Sequence, residues 1–211
     1  MLSLPEELLL LALDDVKGVI VHKTPLKYAV VGAILMDLAL ANRVDTDVEN
    51  LMVVDTQPTG DSILDEALQR IISSGEVKTI GYWLVNLSRD SRTLEEQLLQ
   101  RLMEKGILKK EEHKILWVFS QRRYPMQHDE EEQEVKTRIR SIVLSEEIPD
   151  PRDVVLVSLI RSCYLIDEVF TPEELDQVQG RIEQIARMDL IGQTVSRIIE
   201  AIVQAVAGTL P

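Results

Sequence analysis

The sequence predicts a mainly α-helical protein, a single globular domain over residues 1–211 with short winged-helix-like β-hairpins. Three observations support this fold class. The chain has 211 residues, of which 45% are hydrophobic and only 4% aromatic, so one sizeable and mostly aliphatic core is expected. Helix-start and helix-stop signals recur at short intervals without a glycine- or serine-rich linker. The β-prone runs are few and short.

In the first half of the chain, capping signals and the 3.6-residue period predict four helices. Ser3 and Glu6 form a capping-box pattern before a helix that is expected to reach Leu13 and to stop at Gly18. A stripe of apolar residues predicts a buried helix over 26–41. The other two predicted helices cover 61–73 and 78–87, and a short hairpin joins the β-prone runs 44–46 and 51–54.

The second half begins with a helix that starts at Ser91 and is expected to end at Lys105 and Gly106. The β-prone runs 107–108 and 115–119 flank a polar stretch, 109–114, which is predicted to be the tip of a hairpin. The acidic run 129–134 is predicted to be an exposed loop or the solvated first turn of a helix to about 145. The remaining predicted helices are 150–165, one starting at Thr171, and 191–206.

The composition disfavours several functional classes. A net charge of −13 repels polyphosphates, so no nucleic-acid partner is expected. One cysteine permits no intrachain disulfide and indicates a reducing compartment. The sequence shows neither a secretory signal nor an apolar run of about 18 residues, which predicts a soluble cytoplasmic protein.

No catalytic constellation is visible in the sequence, so no enzyme, metal site or cofactor is predicted. The three histidines, His22, His113 and His128, lie far apart and are expected in exposed loops. Cys163 falls in the most apolar predicted helix, which predicts a buried structural thiol rather than a nucleophile.

Two stretches carry a local excess of basic residues on this acidic chain. Such islands are candidates for one phosphate or anionic headgroup, and ordinary surface lysines are the alternative. The first island, 16–43, holds Lys17, Lys23, Lys27 and Arg43, and the second, 135–144, holds Lys136, Arg138 and Arg140.

Four stretches carry a family resemblance. They are 4–15 followed by Gly18, 32–40, 58–61 leading into 64–68, and 102–108 with the hairpin after it. In this order they resemble the Golgi phosphoprotein 3 family, and the most specific string is Pro-Thr-Gly-Asp followed by Leu-Asp-Glu-Ala-Leu. The resemblance covers residues 2 to about 120, and beyond that the helical pattern agrees more than the sequence. The short loops and the lack of an N-terminal extension resemble a prokaryotic member.

The resemblance implies an all-α domain with winged-helix-like hairpins and a non-catalytic adaptor function. Eukaryotic members are peripheral membrane proteins that bind phosphatidylinositol 4-phosphate on Golgi membranes and hold the cytosolic tails of glycosyltransferases. Their headgroup pocket combines a loop aromatic, a helix arginine and two arginines three residues apart. In this sequence the loop offers Val21 or His22, the helix arginine falls on Val31, and the paired arginines fall on Arg92 and Glu95.

The sequence therefore predicts a peripheral membrane adaptor that binds an anionic, phosphoinositide-like lipid headgroup. Two alternatives stay open: a protein-interaction module without a lipid site, and a winged-helix DNA-binding regulator. The hairpin tip at 109–114 is expected to add membrane contacts or to pair with a second copy of the chain. The predicted headgroup-binding residues are Arg92, Lys23, Lys27, His22 and Arg89, the last as a partner for Arg92 in a shifted register.

Overall fold

Helices dominate the chain, and the predicted mainly α fold class is confirmed. The structure is a computed structural model that describes residues 2–14, 18–47, 49–115, 119–188 and 190–207. The ends of the predicted 1–211 domain lie outside these residues, so its extent stays a prediction. The helices are α1 (Leu4–Leu11), α2 (Lys23–Leu40), α3 (Ser62–Ser73), α4 (Ile80–Leu87), α5 (Ser91–Glu104), α6 (Glu130–Leu144), α7 (Pro151–Ser162), α8 (Pro172–Ala186) and α9 (Leu190–Ala207).

Three short strands form an antiparallel sheet beside α2. Strands β1 (Val44–Thr46) and β2 (Asn50–Val53) are the predicted hairpin, and β3 (Lys78–Thr79) pairs with the free edge of β2. The predicted helix 78–87 is therefore wrong in its first two residues. Thr79 starts α4 instead, because its hydroxyl accepts the backbone N–H of Tyr82 at 3.1 Å.

The second hairpin has a different register from the predicted one. Strand β4 (Glu111–Ile115) pairs with β5 (Phe119–Arg123), and Leu108 forms an isolated antiparallel bridge with Met126. The stretch 109–114 thus leads into and forms a strand, and its prediction as the hairpin tip is wrong. Ile107 and Leu108 are buried, which anchors the base of the hairpin in the core. The connection at 116–118 lies outside the described residues, and the winged-helix likeness stays a prediction.

The core is a continuous cluster of aliphatic side chains centred on α1, α2 and α7. All eight residues of α1 are buried, and so is most of α2 from Tyr28 to Leu38. Cys163 follows α7 and is fully buried, and burial raises the pKa of its thiol well above the ordinary value. The prediction of a buried structural thiol is confirmed.

Gly18 does not end the first helix as predicted. Helix α1 ends at Leu11 because Leu13 pairs with Ile20 in an isolated antiparallel bridge. The carbonyl of Gly18 accepts the N–H of Tyr124 at 2.7 Å. Gly18 has φ +60°, and a Cβ there would lie 2.8 Å from the backbone nitrogen of Pro125. The position therefore needs glycine for both conformation and space.

We expect Gly18→Ala to destabilise the protein more than Gly75→Ala. Both positions have positive φ, which costs about 1–2 kcal/mol for a residue with a side chain. Only Gly18 adds a backbone clash, since nothing lies within 4 Å of a Cβ at Gly75. Urea denaturation of both variants measures the difference. Equal losses in the free energy of unfolding would show that Gly18 shifts away from the backbone of Tyr124 and Pro125 without a measurable loss of stability.

Buried carboxylates of α1 are paired with cations from α6 and from the end of α5. Glu6 and Glu7 are 2% and 1% exposed. The Nζ of Lys105 lies 2.7 Å from Oε1 of Glu6. Arg138 donates through Nη2 to Oε2 of Glu7 and through Nε to Oδ1 of Asp153, both at 2.9 Å. These contacts join α1, α6 and α7 and the end of α5.

Asp37 of α2 extends this network. Its carboxylate accepts the backbone N–H of Leu4 at 3.0 Å and Nη1 of Arg152 at 3.2 Å. Burial nevertheless raises the pKa of Asp37 to about 6. Because the folded protein holds this proton more tightly than the unfolded chain, the stabilising contribution of protonated Asp37 is lost as the pH rises through about 6.

The structure shows what the cations of the candidate island at 135–144 contact, and anion binding there stays a prediction. Its cations are paired within the fold: the Nζ of Lys136 lies 2.6 Å from Oε1 of Glu132, and Arg140 donates through Nη1 to Oε2 of Glu174 at 2.7 Å. The third cation, Arg138, bridges Glu7 and Asp153 as described above.

The acidic run 129–134 forms the start of α6, as one of the two predicted alternatives states. It is not wholly solvated, because Glu132 is only 1% exposed and pairs with Lys136. Glu132 therefore belongs to the structural ion pairs of the fold and not to an acidic docking surface.

Candidate anion-binding pocket

A pocket of about 270 Å³ lies between α2 and the first turns of α5, with Leu9 of α1 also in its wall. Basic and hydroxyl groups share this wall with apolar side chains. Its other lining residues are Lys23, Thr24, Leu26, Lys27, Val30, Ser91, Arg92, Leu94 and Glu95. The pocket brings together two segments that are more than 60 residues apart in the sequence.

The α2 wall supplies two lysines because the helix begins earlier than predicted. It starts at Lys23 rather than at 26, which places Lys23 and Lys27 one helical turn apart on the same side. The Nζ of Lys27 also lies 4.5 Å from the ring centroid of Tyr28. Lys23 is exposed and Lys27 half-buried.

The α5 wall supplies one cation and one carboxylate. The side chain of Arg92 is 88% exposed, and its Nε lies 3.5 Å from Oε1 of Glu96. Partial burial raises the pKa of Glu95, while Lys23 and Arg92 oppose that rise and Glu96 adds to it. Glu95 is thus a carboxylate that takes up a proton more readily than an exposed glutamate.

The N-termini of α2 and α5 both lie at this pocket, and within the described residues neither has a side-chain cap hydrogen bond. His22, the N-cap residue of α2, adopts a left-handed conformation, and Asp90 precedes α5 without capping it. Helix N-termini favour anions through free backbone N–H groups and the helix dipole. The N–H of Ser91, the first residue of α5, is donated to the carbonyl of Ser88, so only α2 offers an uncapped helix end here. The pocket therefore combines three cations with one favourable helix end.

Three of the five predicted binding residues line this pocket, and two do not. Lys23, Lys27 and Arg92 converge. The ring centroid of His22 lies 6.2 Å from that of Tyr164 instead. Arg89 lines a separate pocket, and its pairing with Arg92 in a shifted register stays a prediction.

Sequence reasoning missed the apolar and hydroxyl parts of the wall. The stripe of α2 that includes Leu26 and Val30 was visible as a helical period, but nothing local shows which helix packs beside it. Thr24 and Ser91 each lie in the first two residues of a helix, where hydroxyl groups are common for capping reasons alone.

Among the described residues, no cluster of histidine, cysteine, aspartate and glutamate has the arrangement of a metal site. Within the same residues no helix combines the length and the hydropathy that a membrane span needs. His22 and His128 are exposed as predicted, and the side chain of His113 lies outside the described part of the chain.

Comparison with known proteins decides the family. The family described as Golgi phosphoprotein 3 (GPP34) matches residues 4–202. The chain belongs to the Golgi phosphoprotein 3 family. Vacuolar protein sorting-associated protein 74 of Eremothecium gossypii is 30% identical over 177 residues, which cover 74% of this chain and 51% of that protein. The protein of the same name in Schizosaccharomyces pombe is 29% identical over 166 residues, or 68% of this chain and 49% of that protein. The chain therefore spans about half the length of these relatives.

The structure shows where the positions named by the Golgi phosphoprotein 3 resemblance lie. Arg92 and Glu95 line the pocket between α2 and α5. Val31 is fully buried in the core. The basic groups of α2 lie one and two turns before Val31, at Lys27 and Lys23. In this member of the Golgi phosphoprotein 3 family, the α2 cations have a different placement from the one implied by the resemblance.

Proposed function

We propose that this protein is a non-catalytic adaptor that docks on a membrane by binding an anionic, phosphoinositide-like headgroup in the pocket between α2 and α5. The observation that carries the proposal is the convergence of Lys23, Lys27 and Arg92 from two helices on one pocket. A phosphate monoester offers several acceptor oxygens and a charge that suit these donors and the adjoining N-terminus of α2. The names of the family and of its relatives, which refer to the Golgi and to vacuolar protein sorting, agree with a membrane-associated role.

The charge balance indicates weak, reversible docking. Three cations face Glu95 in a chain of net charge −13. Each basic residue near an anionic surface contributes about 1 kcal/mol, and salt screens that contribution. We propose a cytoplasmic protein that is peripheral on the membrane, with cytosolic tails of transmembrane enzymes as its protein partners.

Vesicle sedimentation tests the proposal. Vesicles of phosphatidylcholine alone are compared with vesicles that contain phosphatidylinositol 4-phosphate, and with vesicles that contain phosphatidylserine at matched surface charge. We expect the phosphate monoester to retain more protein than phosphatidylserine, and high salt to release it. Retention that is unchanged in high salt would contradict an electrostatic pocket.

Glu95 favours one alternative, the protein-interaction module without a lipid site, because its carboxylate opposes an anion in the pocket. Failure of all vesicles to retain the protein at low salt would support that alternative. The DNA-binding alternative stays untested by the fold, and absence of DNA retention in a gel shift at low salt would remove it.

Glu95 predicts a pH dependence of headgroup binding. Because the pKa of Glu95 is raised, lowering the pH neutralises it before ordinary glutamates and removes its repulsion of a bound phosphate. We expect this loss of repulsion to favour binding as the pH is lowered. Sedimentation at a series of pH values measures this change.

The control for this experiment is Glu95→Gln. It is expected to bind more tightly at neutral pH and to lose most of the pH dependence. Titration of the lipid phosphate affects both proteins equally, so the difference between them isolates Glu95. The same pH profile for both proteins would show that Glu95 does not face the bound headgroup.

A further inference from the structure

An exposed tyrosine lies just after α7, beside the start of α2. Tyr164 is 55% exposed, and its ring centroid lies 6.2 Å from that of His22. His22 directly precedes Lys23, which is the first residue of α2 and part of the wall of the pocket between α2 and α5. Helices α2 and α7 pack against each other, so the core fixes this arrangement. The function proposed above assigns no role to the ring of Tyr164.

The backbone of Tyr164 has a conformation that glycine normally supplies. Helix α7 ends at Ser162, and Tyr164 has φ +60°. Its N–H donates to the carbonyl of Arg161 at 3.2 Å, and the N–H of Leu165 donates to the carbonyl of Ile160 at 2.9 Å. These two hydrogen bonds form a Schellman motif with Tyr164 at its left-handed position. Glycine is the usual residue there because it has no Cβ to clash with the backbone.

The choice of tyrosine at this position is unfavourable for folding. Among the described residues, the non-glycine residues with positive φ are His22, Asn42 and Tyr164. Asparagine and histidine adopt this conformation relatively often, whereas a bulky aromatic residue is an outlier. The ring gains little burial in return, since more than half of it is exposed. Because backbone strain of this kind clusters at functional sites, the side chain of Tyr164 is a candidate for a binding role.

The surroundings of Tyr164 suit the surface of a lipid bilayer. A tyrosine has an apolar ring and a polar hydroxyl, and such side chains concentrate at the level of the lipid headgroups. The exposed cations Lys23 and Arg92 lie at the adjoining pocket. Arg161 and Asp167 are exposed within three positions of Tyr164, which suits the headgroup level and not the hydrocarbon interior. A dry protein contact would instead need apolar neighbours around the ring.

We propose that Tyr164 is a membrane anchor, whose ring inserts among the lipid headgroups while the pocket between α2 and α5 holds its anionic ligand. This inference rests on the proposed function and adds the part of the surface that faces the bilayer. The ring contributes apolar burial that salt does not screen, beside ionic contacts that salt weakens. Tyr164 therefore contributes to binding of a bilayer and not to binding of a free headgroup.

Two binding measurements on Tyr164→Gly test the anchor. Sedimentation with vesicles of phosphatidylcholine and phosphatidylinositol 4-phosphate measures docking on a bilayer. Titration of soluble inositol 1,4-bisphosphate, followed by NMR of the ¹⁵N-labelled full chain, measures the pocket alone. We expect Tyr164→Gly to weaken vesicle binding about fivefold and to leave inositol 1,4-bisphosphate binding unchanged. Vesicle binding equal to that of the original protein, or an equal loss for both ligands, overturns the proposal.

Urea denaturation separates the anchor from a structural role. Because glycine suits this Schellman position better than tyrosine, we expect Tyr164→Gly to be at least as stable as the original protein. A lower stability would show that the ring packs for the sake of the fold, and it would overturn the inference from strain.

The matched control is Tyr82→Ala, which removes a tyrosine ring that is 44% exposed on α4 and does not line the pocket between α2 and α5. We expect it to leave vesicle binding unchanged. Equal weakening by Tyr82→Ala and Tyr164→Gly would show non-specific adsorption through exposed aromatic rings and would overturn the proposal.

Tyr164→Trp gives a direct readout of insertion. Trp83 and Trp117 are present in both proteins, so the difference in fluorescence reports position 164. We expect lipids with bromine near the headgroup end of the acyl chain to quench the added indole more than lipids with bromine at the chain end. Vesicles that retain the protein without such quenching overturn the anchor and leave the proposed function standing. Vesicles that retain no protein overturn both.

Discussion

Replacing Lys23 and Arg92 together by glutamate is expected to abolish binding to vesicles that contain phosphatidylinositol 4-phosphate. Each replacement removes about 1 kcal/mol of attraction and adds repulsion of similar size. Each single variant should therefore lose about 2 kcal/mol of binding free energy. This loss corresponds to about thirtyfold weaker binding, since about 1.4 kcal/mol is a factor of ten. Both side chains are exposed, so the fold should tolerate the changes.

The matched control is Arg187→Glu, which makes the same charge change at an exposed residue outside this pocket. It separates the loss of a local cation from the increase in net negative charge. We expect Arg187→Glu to reduce sedimentation only slightly. A reduction as large as that of Lys23→Glu would mean that overall charge, and not the pocket, governs membrane docking.

The largest expected effect on stability is that of Arg138→Met. The guanidinium of Arg138 contacts both Glu7, which is 1% exposed, and Asp153, which is 9% exposed. Removing one member of a buried ion-pair network leaves the others without full compensation and costs about 3–5 kcal/mol. We expect a loss of this size in the free energy of unfolding, as measured by urea denaturation at neutral pH.

Lys109→Met is the control for this experiment, because Lys109 pairs with Glu111 at 2.8 Å but both side chains are largely exposed. An exposed pair contributes less than about 1 kcal/mol. In Arg138→Met the carboxylate of Glu7 keeps Arg152, whose Nη2 lies 3.4 Å from its Oε1. Adding Glu7→Gln should recover part of the loss, since it removes a buried charge that has lost its nearer partner. A loss below about 1 kcal/mol in Arg138→Met would show that Arg152 or water compensates Glu7 once Arg138 is gone.

The helices were predictable because their signals are local. Ser3 and Glu6 form the expected capping box, Asp150 caps α7 with Pro151 at its first position, and Thr171 begins α8 in the same way. Such signals act within one helical turn, so a short stretch of sequence contains the interacting groups. A predicted helix boundary was wrong where a distant strand supplies the backbone pairing partner, as at Lys78, which pairs with Leu51 of β2.

The candidate site was only partly predictable for the same reason. Lys23, Lys27 and Arg92 were identified as basic residues near family motifs, and the structure brings them to one pocket. Arg89 was an equally good candidate by sequence, yet it lies in a different pocket. Arg89 lies in the short turn Ser88–Asp90 and Arg92 in α5, and only the packing of the neighbouring helices decides which cavity lies beside each of them.

By itself, the sequence determined the mainly helical class, the family resemblance, the acidic charge and the buried Cys163. The tertiary structure decided which charges are free to meet a ligand. Arg138 belongs to a basic stretch in the sequence, but Glu7, 131 residues away, holds its guanidinium in the fold. Propensities and caps depend on neighbours within a turn, whereas ion pairs and pockets depend on residues that meet only when helices pack.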